Sequence, residues 1–253
     1  MGILTSSLPL LFSLTVLGTA PPIELASSER SASGKDFVPM SLTHPDKEPI
    51  SRYRQNRLKH FAEEDVSTLQ SSTVFLGDSI THRYPLKRFF RKSHVVNRGI
   101  GGDTMGGVKH RGILNRLKST VYNLNPERII LLIGVNDIIW SHGTPFKTKL
   151  VQYDYLVESI RRERPNIELW CISVLPTRGK YAKKNRAIQR FNRHAAKVSK
   201  RHGAQWLDLH RYFVNDEGEL LKKLAKDSVH LNMRGYGRLT KYYKRKIFRS
   251  RKQ

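Results

Sequence analysis

Residues 73–81 read TVFLGDSIT, a short apolar run followed by a glycine, an acid and a serine. The apolar part, 73–76, predicts a buried β-strand, and Gly77 permits a tight turn into a helix. Ligands of open parallel sheets bind at the carboxyl ends of the strands, so Ser79 is a candidate for chemistry. A Gly-Asp-Ser sequence is also common at the start of a helix, where Asp or Ser caps the backbone. The tripeptide alone therefore does not identify Ser79 as a nucleophile, which also requires a base elsewhere in the chain.

The rest of the chain alternates short apolar runs with longer amphipathic ones, which is typical of strand–helix units in a parallel sheet. The predicted strands are 73–76, 94–97, 128–133, 168–174 and 205–209. The predicted helices are 53–61, 105–117, 150–164, 183–201 and 234–248. The fold class is therefore predicted to be α/β, with three layers (α/β/α) around a five-stranded parallel sheet.

The second predicted strand is followed by a glycine-rich stretch, and residues 97–104 read NRGIGGDT. Its glycines free the backbone to approach a ligand, and N–H groups there could face an anion. Asp103 is expected to cap the helix predicted at 105–117. A flexible turn before a capped helix is the alternative interpretation of this stretch.

Two further polar stretches complete the set. The third predicted strand stops at Gly134-Val135-Asn136-Asp137, so the Asn136 amide can donate to an oxyanion at the same edge of the sheet. Near the C-terminus, Asp227 lies three residues before His230. This spacing lets the carboxylate hold one ring nitrogen while the other nitrogen faces a serine.

These four stretches, in this order, resemble the sequence blocks of the SGNH (GDSL) hydrolase family, and the resemblance covers about 72–248. Residues 97–104 are especially similar to the catalytic subunits of intracellular platelet-activating-factor acetylhydrolase. The resemblance implies a flavodoxin-like SGNH hydrolase fold and ester hydrolysis without a cofactor. It implies Ser79 as nucleophile, His230 as base and Asp227 as its orienting partner. The implied oxyanion donors are the N–H groups of Ser79 and Gly102 and the side chain of Asn136.

Composition restricts the class of protein. The chain has 253 residues, 38% of them hydrophobic, which suits one α/β domain, predicted at 51–250. The lone cysteine, Cys171, lies in an apolar run and is expected to be buried and inert. The ten histidines include no His-x-His or His-Glu-x-x-His cluster, so no catalytic metal is indicated. Asp78, Asp103 and Asp137 are expected to cap or brace the loops of the site.

The formal net charge is +25, and two blocks at 178–201 and 241–252 contain many bases and no acid. A solvated basic surface is one interpretation, and an anionic polysaccharide or an anionic membrane surface is another. No motif for base-specific nucleic-acid binding is present. The sequence leaves the oligomeric state open.

Residues 1–20 contain no charged side chain, and an apolar stretch at 8–17 precedes Gly18-Thr19-Ala20. This pattern predicts a signal peptide, with an uncleaved N-terminal anchor as the alternative, and therefore a secreted or extracytoplasmic protein. Residues 21–50 are rich in Pro, Ser, Thr and charge, which predicts a disordered linker.

The sequence leaves three functions in competition. The first is a short-chain esterase or carbohydrate O-acetylesterase acting on an ester-bearing small molecule or an acetylated glycan. The second is a lysophospholipase or thioesterase with the same triad, and the third is a non-catalytic binder of an anionic polymer. His82, Tyr84, Trp140 and His142 follow active-site strands and are candidates for an acyl or sugar pocket, with core or surface packing as the alternative.

Overall fold

The computed structural model describes residues 52–106, 112–140 and 143–249. The predicted signal peptide or anchor at 1–20 and the predicted linker at 21–50 lie outside these residues. Within the described residues, no helix combines the length and the apolar character needed to cross a membrane.

In the residues that the structure describes, five strands form one sheet, and all their pairings are parallel. They are β1 (Thr73–Gly77), β2 (Val95–Gly99), β3 (Arg128–Leu132), β4 (Glu168–Ile172) and β5 (Gln205–Leu207). Their order, β2-β1-β3-β4-β5, is that of flavodoxin-like doubly wound folds. The predicted fold class is therefore confirmed, and each predicted strand lies within two residues of the observed one.

Eight α-helices occur in the described part of the chain. They are α1 (Arg52–Glu63), α2 (Ser79–His82), α3 (Leu86–Phe89), α4 (Leu117–Thr120), α5 (Val135–Trp140), α6 (Phe146–Glu163), α7 (Asn185–Arg201) and α8 (Met233–Lys246). The helices predicted at 53–61, 150–164, 183–201 and 234–248 correspond to α1, α6, α7 and α8. A turn of 3-10 helix, Gly179–Lys184, precedes α7.

The sheet separates two apolar clusters because alternate side chains of each strand point to opposite faces. On one face, Val74, Leu131 and Cys171 pack with the buried sides of α6 and α7. On the other, Phe75 and Leu132 pack with α8. Both faces of the strands are therefore covered, as expected for a three-layer parallel sheet. The expectation that Cys171 is buried is confirmed.

The helix predicted at 105–117 is wrong. Gly106 and Gly112 have φ values of 135° and 107°, which a right-handed helix does not allow. Two backbone hydrogen bonds, from the Ile113 N–H to the Thr104 carbonyl (2.9 Å) and from the Leu114 N–H to the Met105 carbonyl (3.1 Å), join residues nine positions apart, whereas an α-helix joins residues four positions apart. Of the apolar side chains in this stretch, Met105, Ile113 and Leu117 are buried, although Leu114–Arg116 form a turn of 3-10 helix and α4 begins only at Leu117.

The topology places the candidate residues at one edge of the sheet. The strand order reverses at β1, which has β2 on one side and β3 on the other. Ligands of doubly wound sheets bind in the crevice outside the carboxyl ends of the strands at such a reversal. The segments that follow β1, β2 and β3 contain Ser79, Gly102 and Asn136 respectively.

Candidate active site

Ser79 lies immediately beyond β1, as the first residue of α2. The preceding Asp78 is the N-cap, and its carboxylate accepts a hydrogen bond from the Ile80 N–H at 2.9 Å. The expectation that Asp78 braces this turn is confirmed. The turn buries most of Ser79, which is 7% exposed.

A hydrogen-bonded chain of three side chains runs from Ser79 to Asp227. His230 Nε2 lies 2.8 Å from Ser79 Oγ, and His230 Nδ1 lies 2.7 Å from Asp227 Oδ2. When the Nδ1–H donates to the carboxylate, Nε2 is the acceptor for the serine hydroxyl. The structure therefore brings together the three residues that the sequence nominated as a triad.

The loop that contains Asp227 and His230 is fixed at both ends. The Lys226 N–H donates to the His230 carbonyl at 2.7 Å, and Asn232 caps α8 by accepting from the Gly235 N–H at 3.0 Å. Local hydrogen bonds thus orient the imidazole towards α2.

The Asp227 carboxylate also receives two backbone hydrogen bonds. Its Oδ1 accepts from the N–H groups of Val229 (2.9 Å) and His230 (2.8 Å). Partial burial raises the pKa of Asp227, but the backbone N–H groups and the His230 ring outweigh it and bring this pKa to about 2. The carboxylate is therefore ionised at neutral pH, as an orienting partner of the imidazole must be.

The glycine-rich loop after β2 adjoins the Asn136 side chain. Asn136 is 5% exposed, and its Nδ2 donates to the Asp103 carbonyl at 2.8 Å. That bond uses one amide hydrogen and leaves the second for another acceptor. Gly102 has a φ of 77°, and a Cβ placed on it would meet no atom of the described residues within 4 Å, so its backbone borders open space in this part of the structure. The Ile100 N–H donates to the Gly77 carbonyl at 3.1 Å, which ties the loop to the end of β1.

Helix α1 holds the same loop from outside. The Tyr53 hydroxyl accepts from the Gly101 N–H at 3.3 Å and hydrogen-bonds to His82 Nδ1. Arg57 donates to the Gly99 carbonyl at 3.2 Å. The sequence predicted the helix but not its contacts with the loop after β2. An amphipathic pattern indicates which side of a helix is buried, but not which segment covers it.

Asp103 does not cap a helix, which corrects the role expected from the sequence. Its side chain is buried between two arginines, with Oδ1 2.6 Å from Arg54 Nη1 and Oδ2 2.9 Å from Arg116 Nε. Arg116 also donates to the Arg98 carbonyl at 2.9 Å. Removing one partner of a buried ion pair is costly because it leaves an uncompensated charge, so this cluster fixes the loop in one arrangement.

Asp78 and Asp137, two other acids near the site, are buried and have no cationic hydrogen-bond partner among the described residues. Burial raises the pKa of Asp78 to about 7, although the Ile80 N–H lowers it; the charges of Asp103 and Asp137 raise it further. Burial likewise raises the pKa of Asp137 to about 7 against the Met105 N–H, which donates to its Oδ1 at 3.2 Å. Asp137 Oδ2 has no hydrogen-bond partner in the described structure. Asp137 therefore braces the loop through Met105, as expected.

We expect Asp137→Asn to raise the thermal unfolding midpoint at pH 8 and to raise it less at pH 5. The folded pKa of Asp137 lies above its ordinary value of 3.8, so its contribution to stability falls as the pH rises from about 4 to about 7. The amide removes the buried charge and keeps an oxygen for the Met105 N–H. Thermal melts of both proteins at the two pH values measure the effect.

Asp154→Asn is the matched control, because the pKa of Asp154 is shifted in the opposite direction to that of Asp137. Its pKa is lowered, because hydrogen bonds from His202 and Arg201 outweigh the effect of burial. We expect this variant to melt below the wild type at pH 8, by a margin that narrows towards pH 3. An Asp137→Asn protein that melts below the wild type by the same margin at pH 5 and pH 8 contradicts the assignment.

The four candidate pocket residues have different environments. Tyr84 belongs to the core, where it stacks on Tyr236 with a 5.1 Å centroid separation and hydrogen-bonds to Thr240 at 2.6 Å. His82 is half-buried against Tyr53. Trp140 is 54% exposed at the end of α5. His142 lies outside the described residues, among which no three His, Cys, Asp or Glu side chains form a group that could hold a metal ion.

Comparisons with known proteins identify the family. The model of the GDSL-like lipase/acylhydrolase family matches residues 75–238, which include the last three residues of β1, all of β2 to β5 and the segment from Ser79 to His230. No curated protein matches the chain.

Several solved structures have the same fold. A Streptococcus pneumoniae protein, provisionally described as a platelet activating factor, is 26% identical, with a TM-score of 0.68 over 76% of this chain and 92% of its own. A GDSL-like lipase from Bacteroides thetaiotaomicron is 21% identical, with a TM-score of 0.63 over 77% and 96%. A variant of an acetyl xylan esterase from Geobacillus stearothermophilus is 21% identical, with a TM-score of 0.54 over 70% and 95%.

The family match covers more than half of the chain and extends from within β1 to within α8. The chain therefore belongs to the GDSL-like lipase/acylhydrolase family and is an ester hydrolase.

Proposed function

We propose that this protein is a serine esterase that removes short acyl groups, most of all acetyl groups on carbohydrates, through an acyl-serine intermediate. The observation that carries the chemistry is the hydrogen-bonded chain Ser79–His230–Asp227, with distances of 2.8 Å and 2.7 Å. A hydroxyl held against an imidazole that a carboxylate orients is the arrangement that activates a serine for attack on a carbonyl.

The reaction follows from this geometry. His230 Nε2 takes the proton of Ser79 as Oγ bonds to the ester carbon, and the ionised Asp227 stabilises the imidazolium. The tetrahedral intermediate collapses when His230 gives that proton to the leaving alcohol. His230 next takes a proton from water, which attacks the acyl-serine. Release of the carboxylic acid returns the proton to Ser79.

Three donors are assigned to the oxyanion. They are the backbone N–H groups of Ser79 and Gly102 and the second Nδ2 hydrogen of Asn136. The open space beside Gly102 and the bond from Asn136 to the Asp103 carbonyl support this assignment. Preorganised donors of this kind stabilise the charge that develops in the transition state.

Short acyl groups are favoured over long ones by two observations. Large exposed hydrophobic side chains in the described residues are only Tyr53, Trp140, Val151 and Met233, which lie on separate helices and form no broad apolar surface for an alkyl chain. Solved structures of the same fold include acetyl xylan esterases. The alternative is a lysophospholipase or thioesterase with the same triad.

Hydrolysis of p-nitrophenyl esters of increasing acyl length tests the proposal. We expect kcat/KM to be highest for the acetate and to fall as the acyl chain lengthens. Release of acetate from acetylated xylan is the second expected result. A clear preference for chains of about eight carbons or more, with no acetate release, assigns the lipid or thioester alternative instead.

Helix α1 takes part in this proposal by positioning the loop that contains Gly102. Tyr53 and Arg57 bind the N–H of Gly101 and the carbonyl of Gly99, so α1 limits the movement of the backbone on both sides of Ile100. This helix lies before residue 75, where the family match begins.

We expect Tyr53→Phe to lower kcat for p-nitrophenyl acetate about two- to tenfold with little change in KM. The substitution removes the hydroxyl that accepts from the Gly101 N–H and that also hydrogen-bonds to His82 Nδ1. The loss of one or two neutral hydrogen bonds corresponds to a rate change of about this size. Gln55→Ala, at an exposed position on the same helix, is the control and should keep the wild-type kcat. Equal kcat values for Tyr53→Phe and the wild type would contradict the proposal that Tyr53 of α1 positions the loop that contains Gly102.

Export remains part of the proposal. The absence of charged side chains in residues 1–20 and the apolar stretch at 8–17 support a signal peptide or an N-terminal anchor.

A further inference from the structure

The rim of the site contains an exposed aromatic pair that the reaction does not use. Trp140 is four residues after Asn136 on α5, so the two side chains share one face of the helix. The Trp140 ring meets Tyr181 edge-on, with 5.7 Å between centroids and 72° between planes. An indole that remains 54% exposed beside a catalytic loop provides a flat apolar face for a ligand.

Tyr181 connects this pair to the opposite side of the site. It lies in the turn Gly179–Lys184, and the preceding Arg178 N–H donates to the Ser228 carbonyl at 2.9 Å. Ser228 is between Asp227 and His230, and a Cβ on Gly179 would lie 3.6 Å from its Oγ. The aromatic pair therefore spans from the Asn136 side of the site to the His230 side.

Two cations, Arg178 just before this turn and Lys180 within it, have no carboxylate partner among the described residues. Lys180 Nζ lies 5.1 Å from the centre of the Tyr181 ring, and Arg178 Nε is buried without a hydrogen-bond partner in the described structure. Neither side chain forms an ion pair among the described residues, in contrast to Arg54, Arg98 and Arg116. The acid that contacts the turn, Glu219, accepts from the Gly179 N–H at 3.2 Å.

We propose that Trp140 and Tyr181, with Arg178 and Lys180, form a subsite for an anionic sugar residue next to the ester, so that the substrate is an O-acetylated acidic glycan. The flat C–H face of a pyranose ring matches the exposed aromatic face, and a uronate carboxylate matches the unpaired cations. The net charge of +25 attracts such a polymer over longer distances. This inference rests on the proposed esterase function.

Three substrates separate the subsite from the catalytic machinery. p-Nitrophenyl acetate has neither a sugar nor a charge, acetylated xylan free of uronic acid has sugar rings only, and acetylated polygalacturonate has both. We expect Trp140→Ala to raise KM about five- to tenfold for both polymers and to leave kcat/KM for p-nitrophenyl acetate unchanged.

The double variant Arg178→Gln/Lys180→Gln tests the anionic part. We expect it to raise KM about tenfold for acetylated polygalacturonate at low salt and to leave acetylated xylan unchanged, with a smaller effect at about 0.5 M NaCl. Lys241→Gln/Lys244→Gln on α8 makes the same change of charge away from the site and is the matched control. It should change the KM for the acidic polymer by less than twofold.

Each contrary outcome has a distinct meaning. Wild-type KM values for both polymers in Trp140→Ala overturn the subsite while the esterase function stands. If the two double variants raise the KM for acetylated polygalacturonate equally, Arg178 and Lys180 form no specific anion site. The positive net charge of the protein then accounts for the attraction. Failure of the wild type to hydrolyse p-nitrophenyl acetate overturns the proposed function itself.

Discussion

Ser79→Ala is expected to lower kcat/KM for p-nitrophenyl acetate by at least about 10⁴-fold, because it removes the only nucleophile of the proposed reaction. The rate that remains comes from binding and the oxyanion donors, which are unchanged. The substitution deletes one hydroxyl whose hydrogen bond is to His230, so the thermal unfolding midpoint should stay close to that of the wild type. Initial rates and thermal melts on the same preparations measure both effects.

Ser119→Ala is the control for this variant. Ser119 is exposed on the short helix α4, and among the described residues its hydroxyl donates only to the Arg116 carbonyl, at 3.4 Å. Its replacement should leave the rate unchanged. A folded Ser79→Ala protein that keeps more than about a tenth of the wild-type rate contradicts the nucleophile assignment.

Asn136→Ala is expected to lower kcat about 10²- to 10³-fold, with a smaller effect on KM. Removal of one oxyanion donor has this effect in serine hydrolases because the donor acts mainly on the transition state. The variant also leaves the Asp103 carbonyl without its partner, so some loss of stability accompanies the loss of rate. The measurement is a kcat and KM pair at a temperature well below the unfolding midpoint.

Asn192→Ala is the control that separates the loss of stability from the loss of catalytic rate. Asn192 is another buried amide that bonds to the backbone, with Nδ2 2.9 Å from the Val174 carbonyl and Oδ1 2.8 Å from the Val174 N–H. Its loss should lower the unfolding midpoint and leave kcat per folded molecule near the wild-type value. If Asn136→Ala and Asn192→Ala lower kcat equally, Asn136 has a structural role only.

The parts of the fold that periodicity specifies were predictable from the sequence. Strands such as β3 are short runs of buried branched residues, and α7 alternates buried and charged positions over several turns, so both give a clear signal. Residues 105–117 also have an amphipathic spacing, yet Gly106 and Gly112 adopt positive φ values there. Three glycines, Gly106, Gly107 and Gly112, lie in this predicted helix of 13 residues and were the available warning.

The candidate site also has some features that could be predicted from the sequence and others that could not. The sequence alone predicted the catalytic candidates that follow strands or show a short-range spacing. Ser79 follows β1, Asn136 follows β3, and Asp227 and His230 lie three residues apart. The contacts of α1 with the loop after β2 depend on packing between segments more than forty residues apart, and no local pattern reports them. The same holds for Asp103, whose partners Arg54 and Arg116 come from two different segments.

The most direct test of the account is reaction of the protein with a fluorophosphonate probe, followed by proteolysis and mapping of the labelled peptide. The account predicts a single labelled site at Ser79, blocked in Ser79→Ala and strongly slowed in His230→Ala. Labelling at another serine, or equal labelling of the wild type and Ser79→Ala, contradicts it.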